Sequence, residues 1–171
     1  MKLSKSVKRW KFIGEEMKSV NGNMVWKIGR WEKHIGDLKM GDAGFHACKE
    51  PYDAFSYVQG ELLALVECRG EYLKDTNKEC FREQRVIKVY KWTKKDSVKL
   101  AVFSAELVLK NYEIEYPKDL RPRQAIEAAK KVLFEDTEEN RSAAWSAWSA
   151  RSAAIKKIQK YFRKIVREKM I

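Results

Sequence analysis

Hydrophobic and polar residues alternate near the start of the chain with the two-residue period of half-buried strands. The alternation is clearest in residues 9–14 (RWKFIG) and 24–31 (MVWKIGRW). Between them, Asn-Gly-Asn at 21–23 predicts a tight turn, because Asn and Gly tolerate the positive φ angles of two-residue hairpins. We therefore expect a β-hairpin, or at least a β-rich start to the chain.

Residues 44–60 carry the signature of a turn followed by a helix. The segment GFHAC, residues 44–48, is expected to be a turn where loop gives way to helix. Pro51 suits the first helical turn, apolar residues recur at helical spacing after it, and Gly60 marks the predicted helix end.

Two further strands are predicted before the helical part of the chain. Residues 61–70 (ELLALVECRG) are a short apolar run, typical of a central strand, and residues 82–92 (REQRVIKVYKW) alternate again.

From Thr93 onward the apolar residues recur with the helical period. The first helix is predicted within residues 93–117 with Asp96 as its cap, the second over 121–134, and the third from Asp136 onward. The sequence thus predicts an α+β protein. A β-rich domain with one inserted helix spans 1–92, and a three-helix segment spans 93–171 and ends in a basic amphipathic helix.

The net charge of +12 comes from the two ends of the chain. Residues 1–12 carry five basic residues and no acid, whereas residues 151–171 carry eight basic residues and one acid. The body between them is formally neutral, so partner binding is expected at the termini. Neither a membrane-spanning run nor a signal peptide is recognisable, and three unevenly spaced cysteines favour reduced thiols, which together predict a cytoplasmic protein.

The C-terminal end supplies the candidate binding residues. Ile155, Ile158, Phe162 and Ile165 share one helical face, and a basic face surrounds it. Before this helix, Trp145 and Trp148 recur within SAAWSAWSARSAA, where they serve either helix packing or an exposed aromatic stripe. The predicted binding residues are Lys156, Lys157, Lys160, Arg163, Lys164, Arg167, Trp145 and Trp148.

His46 and Cys48 raise the possibility of chemistry in the GFHAC segment. A metal site needs three or four converging ligands, and neither residue has a further ligand at a suitable spacing. We therefore predict no metal and no cofactor, and interpret His46 first as a residue that orders the turn.

The order GFHA, EPYDAFSYV and LLALVECRGE resembles the central motif of ADP-ribosyltransferase folds. The resemblance implies a nucleotide-handling enzyme centred on His46 and Tyr57. It also implies that His34 replaces the His or Arg of the first strand, and that Glu79 or Glu83 replaces the catalytic glutamate.

A longer resemblance covers residues 8–134. WKFIG, GFHACKEPYDA, LVECRGE and RPRQAIEAA are similar to a family of uncharacterised domains encoded by phages and prophages, whose helical part resembles an immunity-protein module. That resemblance implies a phage source and host cytoplasm, and no particular activity.

The preferred hypothesis is a phage-type interaction or counter-defence protein, favoured over an enzyme. Its basic termini would bind a protein partner or nucleic acid. The alternatives are the ADP-ribosyltransferase-like enzyme and a non-specific nucleic-acid-binding protein.

Overall fold

The computed structural model describes residues 1–133 and 155–169. The chain divides into two compact units, Met1–Trp92 with Val166–Ile171, and Thr93–Ile165. The elements are β1 (Val7–Ile13), β2 (Glu32–Lys33), β3 (Phe45–Cys48), α1 (Pro51–Tyr57), β4 (Leu62–Lys74), β5 (Lys78–Lys91), α2 (Lys94–Glu115), α3 (Arg121–Val132) and α4 (Ile155–Glu168).

The predicted α+β class is confirmed in outline: a β-rich first part with an antiparallel five-stranded sheet, and four helices in the described residues. The predicted start of the third C-terminal helix at Asp136 lies outside those residues.

Four strands are linked into a ring of antiparallel pairs. β4 pairs with β5 from Leu62↔Lys91 to Lys74↔Glu79, and with β1 along the whole length of β1. β3 pairs with β5 along its length, but with β1 only at Trp10↔Cys48. β2 adds to β5 beside β3. The seam between β1 and β3 is therefore the least hydrogen-bonded side of the ring.

Alternation along the strands builds two apolar layers, one on each side of the sheet. One layer includes Ile13, Trp26, Phe45, Ala47, Ala64, Val66, Cys68, Phe81 and Val86. On the other side, Phe12 contacts Phe55 of α1 and Trp92, with ring centroids 5.7 and 5.8 Å apart. The helix α1 thus covers the outer face of β1.

The helices α2 and α3 of the second unit pack against each other through apolar residues that recur at helical spacing. Val102 and Ala105 of α2 form a buried cluster with Ile126 and Ala129 of α3. The cap of α2 is corrected: Thr93 is the N-cap residue, and Asp96 accepts a hydrogen bond from the Thr93 backbone in a capping box. Asp96 therefore supports the cap from the third helical position.

The predicted hairpin between residues 9–14 and 24–31 is wrong. The Asn-Gly reversal does form, with Gly22 at φ +94° and a hydrogen bond from Ser19 N to Met24 O. However, residues 24–31 make only isolated bridges, at Val25 and Ile28, and β1 takes β4 as its long partner. Long-range pairing of two apolar strands outweighs the local turn signal.

The GFHAC segment is a strand and not a turn. Gly44, at φ +111°, makes the reversal just before it, and the next four residues form β3. The helix also ends at Tyr57 instead of Gly60. Gly60 serves close packing, because a Cβ there would lie 2.5 Å from the Ile13 carbonyl oxygen.

Within residues 1–133 and 155–169, no helix combines the length and apolar character required to cross a membrane.

Replacing Gly44 with Ala should destabilise the fold more than the matched replacement Gly36→Ala. Both glycines have positive φ, +111° and +98°, so each substitution costs about 1 kcal/mol of backbone strain. A Cβ at Gly44 would additionally lie 2.5 Å from Cys80 Sγ and 2.7 Å from Leu38 Cδ2, whereas nothing lies within 4 Å at Gly36. Urea unfolding should show an extra loss of about 1–3 kcal/mol for Gly44→Ala. Equal losses would contradict this packing role.

Candidate functional site

A cavity of about 350 Å³ lies beside the open seam between β1 and β3. Its walls come from the middle of β1, the loop of residues 19–24, all of β3, the end of α1 and Lys78 at the start of β5. The pocket therefore occupies the place where the ring has a single strand-to-strand pair.

The polar side chains around this cavity carry an excess of positive charge. Lys11, His46 and Lys78 line it, and Asp42 is the acidic residue among its lining residues. Asp42 is already paired with Lys39, whose Nζ lies 2.9 Å from Asp42 Oδ2. An anionic ligand would thus meet basic groups whose charge no lining carboxylate directly offsets.

Lys11 is the most unusual of these basic groups. Its ammonium donates to Gln84 Oε1 at 3.2 Å and lies 4.3 Å from the centre of the Trp26 ring. Gln84 is fully buried, and no carboxylate in the described residues forms an ion pair with Lys11. Burial disfavours the charged form and lowers the pKa of Lys11 to about 8.

His46 holds the loop that precedes β3. The Gly41 N–H donates to His46 Nε2 at 2.8 Å, so Nε2 is an acceptor and a neutral ring carries its proton on Nδ1. Burial lowers the pKa of His46, and the charges of Lys78 and Lys11 lower it further. The neutral imidazole is thus the form that this site favours.

Tyr57 and Lys78 form the rim on the α1 side. The Lys78 Nζ lies 4.4 Å from the centre of the Tyr57 ring, and Tyr57 Oη donates to Asn77 Oδ1 at 2.5 Å. Tyr57 remains 44% exposed, and partial burial raises the pKa of its phenol. Its hydroxyl therefore stays protonated at neutral pH.

The candidate catalytic residues do not all meet in this pocket. His46 and Tyr57 line it, but Glu79 does not. Glu79 is 4% exposed and accepts a hydrogen bond from the Arg9 guanidinium. Glu83 pairs with Arg69 at 2.7 Å, and His34 contacts the Asp37 carbonyl oxygen at 3.2 Å.

The three cysteines are buried and free. Burial raises the pKa of Cys48 and Cys68 to about 12 and that of Cys80 to about 11, so all three remain thiols at neutral pH. Across the described ranges, no group of three or more His, Cys, Asp or Glu side chains is placed to hold a metal ion.

The C-terminal candidates divide by what the structure describes. Trp145 and Trp148 lie outside the described residues, as do the side chains of Lys156 and Lys157 within α4. The other four, Lys160, Arg163, Lys164 and Arg167, are exposed on α4. On the same helix Phe162, Ile165 and Val166 are buried, whereas the side chains of Ile155 and Ile158, the other members of the predicted apolar face, lie outside the described residues.

Two important pocket residues, Lys11 and Lys78, were not selected from the sequence as site residues. Lys11 looked like one of many N-terminal cations, although the alternation of RWKFI places it on the same strand face as Ile13. A lysine on the apolar face of a strand was the signal that could have identified it.

The stability of the first unit should fall as His46 is protonated. The unfolded chain takes up the proton near the ordinary pKa of 6.5, whereas the folded chain does so at lower pH. The contribution of neutral His46 is therefore complete above pH 6.5 and is lost as the pH falls through the folded pKa.

Comparing urea unfolding of the wild type and His46→Gln between pH 7.5 and 5 measures this effect. Glutamine can still accept from Gly41 and does not titrate, so the difference between the two unfolding free energies should change in favour of the variant at low pH. Parallel profiles for the two proteins would contradict the assignment.

Comparison with known proteins places this site inside a recognised domain. Residues 7–97 match a family model described as "Domain of unknown function (DUF7666)". No curated protein and no solved structure matches the chain. The matched region is more than half of the 171 residues, and it includes every residue that lines the pocket. The chain therefore belongs to the DUF7666 family.

Proposed function

We propose that this protein binds a small anionic ligand in the pocket beside the β1–β3 seam. The observation that carries the proposal is that two lysines, Lys11 and Lys78, line one cavity whose lining acid, Asp42, is already paired with Lys39. Desolvated cations without a partner are costly, and an anion would compensate them.

The loop of residues 19–24 supports the same ligand class. Ser19, Asn21 and Asn23 line the cavity and carry hydroxyl and amide groups, and nothing lies within 4 Å of the place where a Cβ of Gly22 would be. Neutral donors combined with cations are typical of sites that recognise phosphate or carboxylate groups. Tyr57 and Val58 add an apolar rim, which suits an organic anion such as a nucleotide.

The position of the pocket within the chain also favours this proposal. All of its lining residues lie within the family domain, whereas α4 lies outside it. A function shared by the family therefore belongs more naturally to the pocket than to the basic tail. The proposal keeps the nucleotide-binding part of the ADP-ribosyltransferase-like hypothesis and assigns no catalytic role to Glu79.

Titration calorimetry with pyrophosphate and with ADP should detect binding that weakens with added salt. Lys78→Met should weaken it about tenfold, because a charge-assisted hydrogen bond to an anion is worth roughly 1.5–3 kcal/mol. Lys74→Met is the matched control, since Lys74 is an exposed lysine near the start of the same β4–β5 connection and does not line the cavity. Binding that is absent, or equally weakened by both substitutions, would overturn the proposal.

A second function, binding of an anionic macromolecule, is favoured by α4. Lys160, Arg163, Lys164 and Arg167 follow the i, i+3, i+4, i+7 spacing of a single helical face, and all four are exposed. Such a face suits a nucleic-acid backbone or an acidic protein surface. The interaction or counter-defence role predicted for a phage-type protein would act through this face, and phage origin stays a prediction.

Reversing these four charges to Glu should abolish binding to a fluorescent single-stranded oligonucleotide. The wild-type affinity should fall steeply with salt, since each contacted phosphate releases counterions. The matched control reverses four exposed lysines of the first unit, Lys27, Lys33, Lys49 and Lys91, and should retain binding. If both reversals reduce binding equally, net charge alone accounts for it and the face on α4 has no special role.

A further inference from the structure

We propose that Lys11 is a reactive amine that forms an imine with a small carbonyl compound bearing a carboxylate or phosphate. The inference rests on the proposed anion pocket and adds a substrate class to it. It begins from the contrast between two neighbouring cations on the inner face of β1.

Arg9 and Lys11 share a strand face, but among the residues that the structure describes only Arg9 has a counter-charge. The Arg9 guanidinium pairs with the buried carboxylate of Glu79. The Lys11 ammonium instead meets an amide oxygen and an indole ring, at 3.2 and 4.3 Å. A partly buried lysine with neutral partners holds its charge less firmly than a paired one, and it more readily becomes the free amine.

The thiols near Lys11 do not change this conclusion. Cys68 and Cys80 would stabilise the ammonium only as thiolates, and their pKa values of about 12 and about 11 keep them protonated at neutral pH. A substantial share of Lys11 is therefore unprotonated near its pKa of about 8. The free amine is the form that attacks a carbonyl carbon.

The other basic residues of the pocket determine which carbonyl compound fits. Lys78 keeps its cationic side chain at the rim, where it can hold a carboxylate or phosphate. His46 also lines the cavity, and the charge of Lys11 is one of the causes that lower the pKa of His46. The pocket thus combines an anion-holding cation, a neutral imidazole and an amine.

The reaction is a reversible condensation. The Lys11 nitrogen forms a bond to the carbonyl carbon, and one of the two protons of the amine passes to the carbonyl oxygen to give a carbinolamine. The hydroxyl then leaves with the second amine proton as water, which breaks the C–O bond and leaves the imine. No oxidant or reductant is required, and hydrolysis returns the amine and the carbonyl compound.

Labelling tests the inference directly on the intact protein. The protein is incubated with glyoxylate or with pyridoxal 5′-phosphate, with cyanoborohydride added to reduce any imine, and the modified lysines are identified by peptide mass spectrometry. Lys11 should be modified at least tenfold faster than Lys8, an exposed lysine on the same strand. The rate should rise with pH around a midpoint near 8. Glycolaldehyde, a neutral aldehyde of similar size, should show a clearly smaller preference for Lys11, because it has no anionic group for Lys78 to hold.

Controls separate this inference from the pocket proposal. Lys11→Arg should remove the preferred label, and Lys8→Met should leave the label in place. Saturating pyrophosphate should protect Lys11 in the wild type, a readout that needs no variant. Pyrophosphate binding without preferential Lys11 labelling would overturn the imine and leave the anion pocket standing. Absence of pyrophosphate binding would overturn the pocket proposal itself.

Discussion

The pairing of β4 with β5 is the interaction on which the first unit depends. These two long strands pair along almost their whole length, and each then offers its other edge to a shorter strand, β4 to β1 and β5 to β3. β1 and β3 are therefore held mainly by the long pair and meet each other only at Trp10↔Cys48. The pocket follows from this arrangement. Because β1 is held by β4 and β3 is held by β5, the two strands need few hydrogen bonds to each other and leave space between them.

The same arrangement explains why polar groups occur inside an apolar ring. β1 must pair with β4 in one register, and the two-residue period then places Arg9 and Lys11 on the face of Ile13. Glu79 of β5 neutralises Arg9. Lys11 contacts Gln84 and Trp26, and no carboxylate in the described part of the chain pairs with it, so one of the two cations is compensated and the other is not. A charged group without a counter-charge, such as Lys11, is a candidate functional residue.

Local sequence patterns predicted the positions of strands and helices better than they predicted which strands pair with each other. The strands near residues 62–74 and 78–91, the helices α2 and α3, and the apolar face of α2 all follow from periodicity, because each depends on neighbouring residues. The hairpin prediction was wrong because β1 pairs with β4, some 40 residues after the Asn-Gly turn, and a local turn does not indicate such a distant partner. The GFHAC segment was predicted as a turn because of Gly44 and Pro51. It is instead a four-residue strand, which forms because it pairs with β5. The sequence identified His46 as a candidate residue by its type. That Lys11 lines the same pocket could be seen only once the register of β1 was known.

The pocket also limits how it can respond to a bound anion. A negative charge stabilises protonated groups, so it would raise the pKa of both Lys11 and His46. Protonation of His46 at Nε2 would, however, remove the acceptor of the Gly41 N–H and release the loop that forms one wall. Protonation of Lys11 breaks no hydrogen bond, since its ammonium donates to Gln84 Oε1. If the proposed anion binds, proton uptake would therefore fall on Lys11, and a carbonyl ligand would reach a free amine only with its anionic group nearer Lys78 than Lys11. The proposed imine chemistry would thus depend on where the ligand places its negative charge.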